Sequence, residues 1–65
     1  MKKNKNNIMR KIAEFENYAY YVGMGEKQKP VYNISPKDQP APKGGYYAKE
    51  YILGIKRVPD LFSQY

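Results

Sequence analysis

Residues 7–23, NIMRKIAEFENYAYYVG, carry the pattern that decides our prediction of the fold. Its apolar side chains recur every three to four residues, which places them on one face of an α-helix. They are Ile8, Ile12, Phe15 and Ala19. Gly23 follows the pattern, and glycine often ends a helix. The spacing therefore predicts an amphipathic helix over about residues 7–20.

The second half of this stretch leaves an alternative open. Residues 18–22, YAYYV, are aromatic and β-branched, a composition that is typical of strands. In this alternative the helix ends near Asn17 and a strand follows it.

Proline and glycine divide the middle of the chain. Pro30 opens a short alternating segment, and residues 30–34 are predicted to form a strand that begins, or lies at an edge, at that proline. Residues 35–45, SPKDQPAPKGG, contain three prolines and two glycines, which favour extended chain over helix. We interpret 35–45 as a crossover inside one small unit.

Residues 46–57 fit two periodicities. A strand places Tyr47, Tyr51, Leu53 and Ile55 on one face, whereas a helix gives the stripe Ala48, Tyr51, Ile52 and Ile55. The β-branched and aromatic content, together with the cost of a glycine at position 54 in a helix, favours the strand.

These elements predict an α+β fold for the chain. The N-terminal helix (about 7–20) packs on two or three short antiparallel strands (about 30–34 and 46–57), behind a disordered basic N-terminus. Residues 1–6 form a flexible basic arm, and 7–65 form a single small domain with the Pro/Gly-rich crossover at 35–45.

The composition argues against catalysis. The 65 residues contain no cysteine and no histidine, so thiol nucleophiles, Ser-His-Asp machinery and Cys/His zinc sites are excluded. A chain this short has too small a core to position two catalytic carboxylates on either side of a substrate pocket easily. We expect no enzymatic activity, no cofactor and no metal.

The eight tyrosines predict a contact surface, because a rigid ring offers a large area at low entropic cost. We expect a small basic protein-binding module. Its candidate binding residues are Tyr20, Tyr21, Tyr46, Tyr47, Tyr51, Leu61 and Phe62. The expected partner is a larger protein or nucleoprotein assembly, and a homodimer through the tyrosines stays open.

The charge distribution gives an alternative function. The chain carries a net charge of +6, concentrated in its first eleven residues, which hold no acid. Lysines can contact phosphates, and tyrosines beside them can stack on bases. The residues of this nucleic-acid-binding alternative are Lys2, Lys3, Lys5, Arg10, Lys11, Lys43 and Lys49.

A remote alternative concerns the C-terminal end. Asp60-Leu61-Phe62 resembles the end of the short peptides by which bacterial sliding-clamp ligands bind, and the resemblance implies that Leu61 and Phe62 enter an apolar pocket. Val58 and Pro59 depart from that pattern. The same two side chains also suit the domain's own core.

Localisation and source follow from composition alone. No apolar run is long enough for a signal peptide or a membrane span, so we expect a cytoplasmic protein without a membrane partner. Lys, Asn, Ile and Tyr, which have A/T-rich codons, make up 28 residues. That bias is compatible with a phage accessory protein or inhibitor that docks on a host enzyme in the host cytoplasm, or with a small subunit of a large assembly.

Overall fold

The computed structural model describes residues 9–63, in which three strands precede one helix. They are β1 (Arg10–Phe15), β2 (Tyr18–Met24), β3 (Pro30–Pro36) and α1 (Lys49–Lys56). The strands form one antiparallel sheet in the order β1-β2-β3, and α1 packs against β3. A single 3₁₀ turn, Glu26–Gln28, joins β2 to β3. The fold is α+β-like, but its helix is C-terminal.

The predicted N-terminal helix over 7–20 is wrong. Residues 10–15 and 18–24 instead pair as an antiparallel hairpin across a turn at Glu16 and Asn17. Of the alternative, the strand over 18–22 is present within β2, but the helix that would end near Asn17 is not. The basic arm at 1–6 and Ile8 lie outside the described residues.

A bulge explains why this hairpin resembles a helix in sequence. The register between β1 and β2 shifts between Lys11 and Ala13, which leaves Ile12 as the extra residue. Ile12, Ala13 and Phe15 therefore all pack against the core cluster on the helix side of the sheet. The shift breaks the alternation of a strand and produces the spacing of three between Ile12 and Phe15, whereas Ala19 lies in the cluster on the other side of the sheet.

The predicted strand over 46–57 is also wrong. Only Tyr46 forms a bridge to the sheet, opposite Tyr32, and residues 49–56 are helical. As a helical residue Ile52 is 4% exposed and belongs to the core cluster. The strand predicted at 30–34 lies inside β3, which begins at Pro30 as expected.

The core has two parts, one on each side of the sheet. The larger cluster lies between the sheet and α1 and consists of Tyr20, Tyr32, Ile34, Ile52 and Phe62. The smaller cluster consists of Met9, Ala19, Tyr21 and Val31. Aromatic side chains thus supply the volume that a chain with few aliphatic residues lacks.

The outer edge of β3 is closed at four positions by three different means. Pro30 and Pro36 have no N–H, and alternation along the strand points their positions outward together with Tyr32 and Ile34. Tyr32 exchanges two backbone hydrogen bonds with Tyr46, and the Ile34 N–H donates to Asn33 Oδ1 at 2.8 Å. This edge therefore offers a neighbouring strand no free N–H group.

Among residues 9–63, no helix is both long enough and apolar enough to cross a membrane.

Candidate protein-docking face

The segment that leads into α1 is held firmly on the edge of β3. Tyr32 and Tyr46 exchange N–H to carbonyl hydrogen bonds of 2.8 Å in both directions, and the Asn33 side-chain amide donates to the Gly44 carbonyl at 2.6 Å. Gly45 permits this approach, since a Cβ there would lie 2.6 Å from the Tyr32 carbonyl oxygen. The backbone around Tyr46 is therefore fixed to the sheet.

The helix α1 buries only one side. Ile52 is buried and Leu53 is half-buried against the core, whereas Tyr51 and Ile55 are 57% and 58% exposed. Tyr51 and Ile55 are four residues apart and so lie one above the other on the helix surface. The apolar stripe of α1 is therefore wider than the core requires, and the part that carries Tyr51 and Ile55 faces solvent.

The outward side chains adjoin the anchored loop. The rings of Tyr46 and Tyr51 are in contact, with centroids 5.2 Å apart and planes inclined at 48°. Gly54 lies beside them on the helix, and a Cβ built on it would meet nothing within 4 Å. We call Tyr46, Tyr51, Gly54 and Ile55 the docking face.

Two residues in this region are locally unfavourable for α1. Gly54 in an exposed helix interior costs about 1 kcal/mol relative to alanine. Arg57 ends the helix with φ 58° and ψ 48°, a left-handed conformation that costs a residue with a side chain about 1–2 kcal/mol. Glycine at 57 and alanine at 54 would make a more stable helix, and local inconsistencies of this kind are expected at functional sites.

A carboxylate and a guanidinium flank the docking face. Glu50 lies in the first turn of α1 and Arg57 at its C-terminal cap, and both side chains are exposed. Within residues 9–63, neither side chain forms an ion pair or a hydrogen bond. Both charges are therefore accessible to a partner that covers the face.

Three of the predicted binding residues belong to the core. Tyr20 and Phe62 are fully buried with ring centroids 5.2 Å apart, and Tyr21 lies in the smaller cluster. The Tyr20 hydroxyl donates to the Pro59 carbonyl at 3.0 Å. Burial, followed by the charges of Asp60 and Glu16, raises the pKa of Tyr20 above its ordinary value. We therefore leave these three residues out of the docking face.

The burial of Phe62 also bears on the resemblance to sliding-clamp ligands. Its ring contacts those of both Tyr20 and Tyr32, and Leu61 beside it is half-buried. The aspartate of the motif is exposed, and its Oδ1 accepts the Phe62 N–H at 2.9 Å, which holds the turn that directs Phe62 into the core. The folded chain does not display the Leu-Phe pair, so the proposal below does not use it.

The three remaining tyrosines are about half exposed, at 47–57% for Tyr46, Tyr47 and Tyr51. The structure brings Tyr46 and Tyr51 together, but it directs Tyr47 elsewhere. The Tyr47 hydroxyl accepts the Glu26 N–H at 2.8 Å, so this side chain fastens the loop between β2 and β3.

The lysines of the nucleic-acid alternative are dispersed. Lys11 Nζ lies 2.7 Å from Glu14 Oε2, which raises the pKa of Lys11 and lowers that of Glu14. Lys49 Nζ lies 3.5 Å from Asp60 Oδ2 and 6.0 Å from the centroid of the Tyr32 ring. Arg10 and Lys43 are exposed. Lys2, Lys3 and Lys5 lie outside the described residues.

Residues 9–63 contain no group of three or more His, Cys, Asp or Glu side chains that lie close enough together to bind a metal ion. Comparison with protein-family models, curated proteins and solved structures gives no match.

The sequence prediction missed Gly54, Ile55, Glu50 and Arg57. The available signal was the apolar stripe of the helical alternative, which included Ile55 and was interrupted by Gly54. A glycine beside an apolar stripe on a short helix marks a position that a neighbouring backbone can approach closely.

Proposed function

We propose that this protein is a small, basic, non-catalytic protein-binding module that docks on a larger protein or nucleoprotein assembly through the docking face. One observation carries the proposal: α1 presents Tyr51 and Ile55 outward at more than half exposure, beside Tyr46, although the core uses only the adjoining side of the helix at Ile52. Tyrosine is enriched among residues that dominate binding energy.

The charges specify the chemistry of the partner. The chain carries a net charge of +6, and Arg57 lies at the end of the docking face. A complementary surface has an apolar cleft with a carboxylate at its rim, because opposite potentials steer encounter and select the partner. A host enzyme bound by a phage accessory protein or inhibitor, or the neighbouring subunit of a large assembly, would offer such a surface.

The test is affinity capture with nuclease-treated extract of the native cell or infected host, followed by titration of the purified partner. The variant Tyr51→Ala/Ile55→Ala removes two outward side chains and leaves Ile52 in the core. We expect its affinity for the partner to fall at least about tenfold, as for residues that dominate an interface. Far-UV circular dichroism should be unchanged.

Met24→Ala is the matched control. Met24 is 56% exposed, like Tyr51 and Ile55, but it lies at the end of β2. Its loss should leave capture intact. Equal binding by the wild type and the double variant would contradict the proposal. Capture that disappears after nuclease treatment, with affinity that falls steeply between about 50 and 200 mM salt, would favour nucleic-acid binding instead.

A further inference from the structure

The chemistry that the docking face requires of a partner is present on the docking face itself. It requires an apolar surface and a carboxylate that can meet Arg57. Tyr51 and Ile55 provide such an apolar surface, and Glu50 provides an exposed carboxylate beside them. Glu50 and Arg57 carry opposite charges, so this face can pair locally with a second copy although the whole chain carries a net charge of +6.

Helix geometry places the two charges where a two-fold axis can join them. Glu50 and Arg57 are seven residues apart, which is two helical turns, or about 10 Å along the axis. Glu50 lies in the first turn and Arg57 at the C-terminal cap, so the two residues lie at opposite ends of α1 with Gly54 between them. When two copies of α1 pack antiparallel, Glu50 of each faces Arg57 of the other, and the helix dipoles also oppose each other favourably.

Gly54 lies next to the midpoint between the two charges. The missing side chain leaves the helix backbone bare at that point, with nothing within 4 Å of the Cβ position. A second helix can approach most closely where a glycine occupies the crossing point. This gives a reason for an otherwise unfavourable glycine in the middle of an exposed helix face.

We propose that the free protein forms a two-fold symmetric homodimer through α1. Gly54 lies at the crossing, and Glu50 and Arg57 form two reciprocal ion pairs. The inference rests on the proposed function, because it assigns a second copy to the same docking face. The dimer and the complex with a larger partner then exclude each other, so self-association limits the amount of protein available for docking.

The contact is small. The helix has eight residues, about 12 Å of axis, with Tyr46 extending it at one end. Interfaces of this size lie at the weak end of specific association. We expect a concentration-dependent dimer that dissociates on dilution to about 1 µM.

The experiment is sedimentation velocity of the full chain over a concentration series from about 1 µM to 1 mM. We expect the wild type to shift from monomer to dimer. Glu50→Arg and Arg57→Glu should each weaken the dimer about tenfold or more, since each places like charges opposite one another. An equimolar mixture of the two variants should recover association, as should the double variant Glu50→Arg/Arg57→Glu.

Gly54→Ala separates dimerisation from folding. Its methyl group meets nothing within the monomer, so the urea midpoint at high dilution should rise while dimer affinity falls. A monomer at every concentration would overturn the inference. So would a dimer that the charge reversals and Gly54→Ala leave unchanged, because another surface would then form it.

The two proposals fail differently. A monomeric wild type whose capture of a larger partner depends on Tyr51 and Ile55 would overturn the dimer and leave the proposed function standing. The opposite result is a dimer that responds to the charge variants as expected, while the Tyr51→Ala/Ile55→Ala variant still captures the larger partner. That result would overturn the proposed function alone.

Discussion

Gly45 lies directly against the backbone of Tyr32. A Cβ on Gly45 would lie 2.6 Å from the Tyr32 carbonyl oxygen and 3.0 Å from its nitrogen. The next residue, Tyr46, exchanges two hydrogen bonds of 2.8 Å with Tyr32. The close approach therefore fixes where the chain leaves the edge of β3 and enters α1.

Gly45→Ala should lower the free energy of unfolding by about 1–3 kcal/mol, the usual cost of inserting a methyl group where none fits. The atoms that it meets are backbone atoms, which can move only if the bonds between Tyr32 and Tyr46 lengthen. Urea denaturation at low protein concentration measures the change. Gly54→Ala is the matched control and should raise the same quantity by about 1 kcal/mol. Equal midpoints for the two variants would contradict this account of the loop.

Asn33 performs two tasks that different substitutions separate. Its Oδ1 accepts the Ile34 N–H, and its Nδ2 donates to the Gly44 carbonyl. Asn33→Ala should cost about 1–2 kcal/mol and accelerate hydrogen exchange at Ile34, because that amide then faces outward without a protein acceptor. Asn33→Asp keeps an acceptor for Ile34 but loses the donor to Gly44, so it should preserve slow exchange at Ile34 while destabilising the loop. Slow exchange at Ile34 in both variants would refute this role.

Phe62 joins the C-terminal segment to the sheet. Its ring contacts Tyr20 and Tyr32 at centroid distances of 5.2 and 5.0 Å and is fully buried. Phe62→Ala should cost about 3–5 kcal/mol, which approaches the whole stability of a domain this small. Phe62→Leu keeps most of the volume and should remain folded with a reduced urea midpoint. Tyr51→Ala, an equally large change on the surface, should shift the midpoint far less.

The N-terminal hairpin shows what sequence periodicity can mistake. A helix face and a bulged strand both bring Ile12 and Phe15 to one side, and nothing in the composition of 10–15 distinguishes them. The turn also lacks its usual signal, since Glu16 takes the left-handed conformation (φ 55°) that glycine or asparagine normally supplies. The hairpin is decided by pairing with β3, which a local pattern does not report.

The tyrosines illustrate the corresponding limit for the site. Sequence analysis predicted a tyrosine surface, and Tyr46 and Tyr51 do lie together at half exposure. It had no means of separating them from Tyr20 and Tyr21, because the burial of a residue in a strand depends on what packs over the sheet. The strand at Pro30 was predictable, since proline restricts its own position at a sheet edge.

Tyr20 predicts the alkaline behaviour of the fold. Burial raises the pKa of its hydroxyl above the ordinary tyrosine value of 10.0 in the folded state. An acid whose pKa is higher in the folded than in the unfolded chain contributes stability that is complete below the unfolded pKa and is lost as pH rises through the folded one. The thermal midpoint should therefore fall as the pH rises above 10.0, the ordinary pKa of tyrosine. Tyr20→Phe should flatten this decline, at the cost of the hydrogen bond to Pro59.

Lys11 also has a raised pKa and acts in the same direction, so Lys11→Met serves as the control. A thermal midpoint that falls with pH as steeply in Tyr20→Phe as in the wild type would contradict the prediction.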